Sequence, residues 1–112
     1  MKRTDSPDPS ELLPLSPRDF IVLLILADGP SHGYGIVKGA GERFGDDARL
    51  DPANLYRALN RMLRLGWVEK RDGEGRRSIF ELTSLGRELL RAETGRLDEL
   101  LHRARPLLSE EG

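Results

Sequence analysis

There is no cysteine in the 112 residues, so neither a disulfide framework nor a thiolate metal site is open to this chain. Histidine is scarce as well, with His32 and His102 far apart. Without cysteine, two distant histidines supply neither a nucleophile–base pair nor a zinc triad. An enzyme is therefore not expected, and no cofactor is called for. The longest apolar run, Phe20 to Ala27, falls well short of the roughly 20 residues of a bilayer span and reads as a buried helix. Met1 to Pro9 lacks the apolar stretch of a secretory signal. The expected setting is the cytoplasm, with no membrane partner. Aromatic residues are few, and none follows Phe80, so the last third of the chain carries no sign of a site for a flat aromatic ligand. Gly33-Tyr34-Gly35 with Gly39 is not a dinucleotide fingerprint, because its spacing differs and a helix precedes it where a strand is required. Asp46, Asp47 and Asp51 lack the spacing of a calcium loop and read as turn and cap residues.

What the chain does have is an uneven charge. The net charge is −1, which by itself argues weakly against nucleic acid. Residues 56–77, however, hold Arg57, Arg61, Arg64, Lys70, Arg71, Arg76 and Arg77 against Glu69, Asp72 and Glu74, which makes that segment +4 and the remainder −5. A phosphate backbone responds to local charge on one face, not to the total.

The length fits one domain. Residues 1–15 are rich in Pro, Ser and Asp and read as a flexible segment. Ser16-Pro17-Arg18-Asp19 is a helix start, with Ser at the cap, Pro at the first helical position and an acid placed to reach back to the cap amide. This first helix is apolar nearly all round and ends at Gly29-Pro30. Ser31 is the expected cap of a second helix, from about His32 to Phe44, in which Gly39 and Gly41 each cost about 1 kcal/mol relative to Ala. Asp51-Pro52 starts a third helix that runs to Leu65, with Gly66 behind it. Trp67 to Arg71 and Arg76 to Leu82 read as two strands around the turn Asp72-Gly73-Glu74-Gly75. Thr83 caps a last helix expected to end near Arg105, before Pro106. Three helices, a hairpin and a helix give a mainly α fold with a small β-hairpin: a winged helix-turn-helix over 16–82, a dimerisation helix over 83–105 and a tail over 106–112.

On a helical wheel, Leu55, Leu59, Met62 and Leu63 form the buried stripe of the third helix. Ala53, Asn54, Arg57, Asn60, Arg61 and Arg64 fall opposite, with Tyr56 at the flank. Surface faces usually mix signs to gain ion pairs, and this one has no acid. Arg can pair with a guanine edge, Asn with an adenine edge, and both hold phosphates. Arg76 and Arg77 stand at the wing turn, where they reach DNA or else guard a strand edge. His32 and Lys38 lie at the start and outer side of the second helix, a natural place for phosphate. His32 has no evident sequence partner and also fits a structural role. Tyr34 lies beside them and reads either as a further phosphate contact or as a core residue with its hydroxyl at the surface, and Trp67 reads as a core anchor. The candidate DNA contacts are thus Asn54, Tyr56, Arg57, Asn60, Arg61, Arg64, Arg76, Arg77, His32 and Lys38. On this reading Arg57→Ala or Arg61→Ala leaves the fold intact and weakens binding.

Leu26-Ala27-Asp28-Gly29-Pro30-Ser31-His32-Gly33-Tyr34-Gly35-Ile36 resembles the passage between the first two helices of the PadR-like transcriptional regulators. Asn54-Leu55-Tyr56-Arg57-Ala58-Leu59 followed by Gly66-Trp67-Val68 resembles their recognition helix and its exit. Arg76-Arg77 through Glu81-Leu82-Thr83 and Gly86 resembles their wing and the start of the last helix. The resemblance covers about residues 17–105. It implies a dimeric winged-helix repressor that binds a palindrome and is often released by a small molecule. By position, Tyr56 and its neighbours would face DNA, and Arg76 and Arg77 would form the wing tip. Two departures stand out: Ile79-Phe80 replaces the family's aromatic pair, and the second helix holds glycines.

In the last helix, Leu85, Leu89, Ala92, Leu100 and Ala104 form one apolar stripe, and Leu90, Leu97 and Leu101 widen it to about half the circumference. One stripe suffices to pack on the domain. The extra width, at Leu90, Leu97, Leu100, Leu101 and Ala104, reads as a homodimer surface. A two-fold dimer would set its recognition helices about one DNA turn apart, on a palindromic operator. The alternative is a winged helix whose third-helix face binds a protein and does not read DNA. The expected partners are double-stranded DNA, a second copy of the chain and a small-molecule effector of unknown identity.

Overall fold

A computed structural model describes residues 12–48, 50–73, 75 and 77–109. The expectation of flexibility for residues 1–11 and the wing-tip role of Arg76 lie outside the described residues. The element order is α1 (Pro17–Asp28), α2 (Gly33–Phe44), a 3₁₀ turn (Asp46–Ala48), α3 (Pro52–Leu65), β1 (Val68–Asp72), β2 (Ser78–Leu82) and α4 (Ser84–Leu108). This is a winged helix: three helices, an antiparallel hairpin and a long C-terminal helix.

Each helix starts where a side chain satisfies an orphan backbone amide. The Ser16 hydroxyl accepts from the Asp19 amide at 3.1 Å, and Asp51 accepts from the Asn54 amide at 3.1 Å. At α2 the cap is His32, not Ser31: its ring Nδ1 accepts from the Gly35 amide at 3.1 Å. Ser31 is occupied elsewhere. Its backbone exchanges two hydrogen bonds with Phe80, at 3.0 and 2.8 Å, and so adds a short third rung to the outer edge of β2. The Asp19 carboxylate does not complete a capping box either, but turns inward to Arg61 on α3.

The core forms where the helix stripes meet. Val22, Leu23, Ile25 and Leu26 of α1, Ile36 and Ala40 of α2, and Leu55, Ala58, Leu59 and Met62 of α3 close over Trp67, Val68 and Phe80. Each fully buried leucine here contributes roughly 1.5–3 kcal/mol by leaving water. Ile36 and Ala40 hold α2 against the core despite its glycines. The hairpin pairs Val68 with Leu82 and Asp72 with Ser78, and its buried side rests on this core.

Helix α4 is tied down at its first turns. The Thr83 hydroxyl accepts from the Gly86 amide at 3.0 Å and donates toward the Gly66 and Trp67 carbonyls, at 2.6 and 2.9 Å. A Cβ at Gly86 would overlap the Trp67 carbonyl, so the close approach of α4 to the end of α3 needs glycine there. Leu89, Leu90 and Glu93 are buried; beyond them the helix is largely exposed and runs through Pro106 to Leu108, past the expected end. Proline removes one helical hydrogen bond, which the last turn tolerates. Leu90 is therefore corrected from the proposed dimer surface to the core of its own chain.

Glu93 is 1% exposed and fully engaged. Arg96 donates to it through Nε at 2.6 Å and Nη2 at 2.8 Å, and the Leu15 amide donates at 3.1 Å. Leu12, Leu13 and Leu15 thereby lie against the core, so this part of the segment read as flexible is packed. The Arg96 hydrogen bonds hold the Glu93 carboxyl below its usual range, helped by the Leu15 amide and the Arg96 charge, while burial pulls the other way. Because its folded value is depressed, this carboxylate stabilises the fold above the ordinary glutamate range of about 4.3 and loses that effect as pH falls through the folded value. Glu93→Gln is expected to melt below the wild type at neutral pH, and the gap should close as the pH drops below about 4. Thermal unfolding followed by circular dichroism across a pH series tests this, and a gap independent of pH would contradict it.

Candidate nucleic-acid interface

The buried stripe of α3 decides what its other face presents. Leu55, Leu59 and Met62 are inaccessible to water, which turns Tyr56, Arg57, Asn60 and Arg64 outward. No acidic residue occurs in α3. Exposed Arg57 donates to half-buried Asn54 at 2.6 Å, so these two side chains act as one unit on the first turns of the helix.

Between α3, the start of α2 and the hairpin lies a cleft of about 420 Å³, lined by His32, Gly33, Tyr34, Tyr56, Asn60, Lys70, Arg77, Ser78 and Phe80. It brings together four of the residues singled out from sequence: His32, Tyr56, Asn60 and Arg77. The glycine after His32 is essential to its shape. A Cβ at Gly33 would overlap the Tyr56 phenol, so only a bare backbone lets Tyr56 lie against the start of α2. Tyr56 stays 47% exposed. Among the described residues the cleft contains two formal cations, Lys70 and Arg77, and no carboxylate.

Tyr34 corrects the sequence reading. It is 69% exposed and not a core residue, and its ring lies nearly parallel to that of His32, at 11° and 6.5 Å between centroids. The signal was available: Gly33, Ile36 and Ala40 define the inward face of α2, and Tyr34 falls well away from it on the wheel. Trp67 is buried, as an anchor should be.

Arg61 is also reassigned. Its guanidinium pairs with Asp19, whose side chain is buried at the start of α1, and so it works inside the fold, clamping α3 to α1. The free exposed face of α3 thus carries two arginines, Arg57 and Arg64, and not three. Lys38 stands outside the cleft and lies 3.9 Å from Glu42, an exposed i,i+4 pair. Lys70 is a cleft residue that sequence reasoning did not single out, and Tyr34 is one that it left between a phosphate contact and the core. Lys70 appears only in the charge count, because nothing local shows that its strand folds back beside α3.

No group of His, Asp or Glu among the described residues is arranged to hold a metal ion, and no described helix is long and apolar enough to cross a membrane.

The model of the transcriptional regulator PadR-like family matches residues 22–92. The chain belongs to the transcriptional regulator PadR-like family. Members of this family are regulators of transcription and not enzymes. A Streptomyces fradiae protein described as an uncharacterized 37.1 kDa protein in a transposon is 44% identical over 73 residues, 65% of this chain. The present chain spans only 21% of that relative's length. Among solved structures, a transcriptional regulator from Clostridium thermocellum superposes with a TM-score of 0.74 at 22% identity, covering 82% of this chain and 90% of the other. A PadR family transcription regulator from Clostridium difficile gives 0.75 at 23% identity, covering 84% of this chain and 100% of the other. Bacillus subtilis PadR in complex with operator DNA gives 0.59 at 20% identity, covering 66% of this chain and 44% of the other. At these identities the structural likenesses speak for the winged-helix fold.

The two arginines of α3 separate by experiment. Arg61→Ala leaves the buried Asp19 carboxylate with only the longer contact to Arg18, at 4.0 Å, and is expected to cost about 1–3 kcal/mol of stability, less than a fully buried pair because Arg61 is partly exposed. Arg57→Ala touches only an exposed contact and should stay within about 0.5 kcal/mol of the wild type. Urea unfolding of both variants decides, and equal stabilities would contradict the assignment.

Proposed function

We propose that this chain is a sequence-specific DNA-binding regulator of transcription acting as a homodimer in the cytoplasm. The observation that carries the reading is the acid-free exposed face of α3 beside a cationic cleft that joins it to the wing. Asn60, Arg57 with Asn54, and Arg64 offer donors to base edges and phosphates. Tyr56, His32, Lys70 and Arg77 flank them with phosphate donors, and Lys38 and, from its place in the sequence, Arg76 are further candidate contacts. Its fold-mate from Bacillus subtilis was solved on operator DNA, which supports the same use of the fold here.

The second copy is proposed to pack on the distal half of α4. Leu100 and Leu101 are half exposed, Leu107 and Leu108 are more than four-fifths exposed, and Leu97 and Ala104 are partly covered. An apolar face of this kind, projecting beyond the domain that buries Leu89 and Leu90, suits a self-complementary two-fold contact. Two-fold symmetry leads to a palindromic operator. Repression and release by a small-molecule effector complete the proposal on the family resemblance.

Fluorescence anisotropy of the protein on the DNA upstream of its own gene, across a salt series with scrambled competitor, tests the DNA reading. Tight, competitor-resistant binding with a log–log salt slope of several units is expected. Asn60→Ala should lose discrimination between operator and scrambled DNA, by about 1–3 kcal/mol if it reads a base. A salt-insensitive protein without preference would point to a protein partner. Light scattering tests the dimer: Leu101→Glu should yield a folded monomer, and an unchanged mass would rule out this face.

A further inference from the structure

The contact between His32 and Arg77 has a polarity that ordinary pairing does not explain. A neutral imidazole has one donor and one acceptor nitrogen, and a guanidinium has donors only. His32 Nδ1 accepts from the Gly35 amide at 3.1 Å to cap α2. That bond requires Nδ1 without a proton, which puts the ring proton on Nε2. Arg77 Nη1 stands 3.0 Å from this same Nε2. A donor therefore faces a donor, one from the start of α2 and one from the wing, 45 positions apart in the chain.

Two converging donors are best satisfied by one shared oxygen that carries two lone pairs and negative charge. A phosphate oxygen does this, accepting a charge-assisted bond from the guanidinium and a neutral one from the imidazole. The surroundings agree in sign: Lys70 and the Tyr56 phenol share the cleft, and no carboxylate is among the described residues that line it.

We propose that His32 and Arg77 close on a single non-bridging oxygen of one DNA backbone phosphate, so that His32 at once caps α2 and donates to DNA. This deepens the DNA reading above and rests on it. The clamp positions the protein without reading sequence. It also ties the wing to α2 when DNA is bound, which fixes the angle between wing and recognition helix.

The test uses the full chain and two unrelated mixed-sequence duplexes, since a phosphate contact is independent of sequence. Anisotropy titrations across a salt series compare wild type, His32→Asn, Arg77→Ala and the double variant. Asparagine keeps a cap acceptor for α2 but places no donor where Nε2–H stands, and thermal melting checks that the fold is retained. His32→Asn is expected to weaken both duplexes several-fold with the salt slope unchanged, because a neutral donor releases no counterion. Arg77→Ala should weaken binding and lower the slope by about one unit. The double variant should lose less than the product of the single losses, because the two donors share one oxygen. A folded His32→Asn that binds as tightly as wild type, or losses that multiply independently, overturns the clamp and leaves the DNA reading standing. A wild type that binds neither duplex at low salt overturns both.

Discussion

Everything that this chain presents to the outside depends on which way α3 is rolled. Leu55, Ala58, Leu59 and Met62 are sealed against α1 and α2, and the energy of taking that stripe out of water permits one orientation only. A rotation of α3 by a quarter turn toward Tyr56 would bury that phenol and lift Ala58 and Met62 out of the core. The exposed, acid-free face is therefore a consequence of core packing, and the chemistry of the surface is set by the hydrophobic pattern beneath it.

Two buried carboxylates then fix how the segments around this helix meet one another. Asp19 anchors Arg61 and holds α1 against α3, and Glu93 anchors Arg96 and the Leu15 amide and holds the segment before α1 against α4. Such groups are costly to leave unpaired, so they specify register more than they add net stability. One Asp19 oxygen has no hydrogen-bond partner among the described residues, but the Arg18 guanidinium lies 4.0 Å from it, and Arg61 binds the other.

The wing is positioned from both sides. Ser31 pairs with Phe80 at its outer edge, and Thr83 with Gly86 locks the start of α4 beneath the Trp67 carbonyl. Between these ties, β1 and β2 bring Lys70 and Arg77 to the start of α2 and the flank of α3. The cleft arises from this convergence of three elements, and its cations come from the hairpin, Lys70 from β1 and Arg77 from the residue before β2.

Helix and strand order, the caps at Ser16, Asp51 and Thr83, the buried stripe of α3 and the membership of the chain in its family were all legible in the linear sequence. Each of these rests on residues three or four positions apart, or on a repeat of the helical period, and short-range geometry is the same in any fold. Tyr34 belonged with them, since its wheel position already pointed outward. What no local rule contained were the partnerships of Asp19 with Arg61, Leu15 with Glu93, and His32 with Arg77, which lie 42, 78 and 45 positions apart. The choice of His32 over Ser31 as cap depended on Phe80 claiming the Ser31 backbone, and the burial of Leu90 depended on where α4 lands. The sequence by itself determined the elements and their faces; tertiary packing alone decided which charges are spent inside and which remain to meet a partner, because only packing brings distant groups within reach of a hydrogen bond.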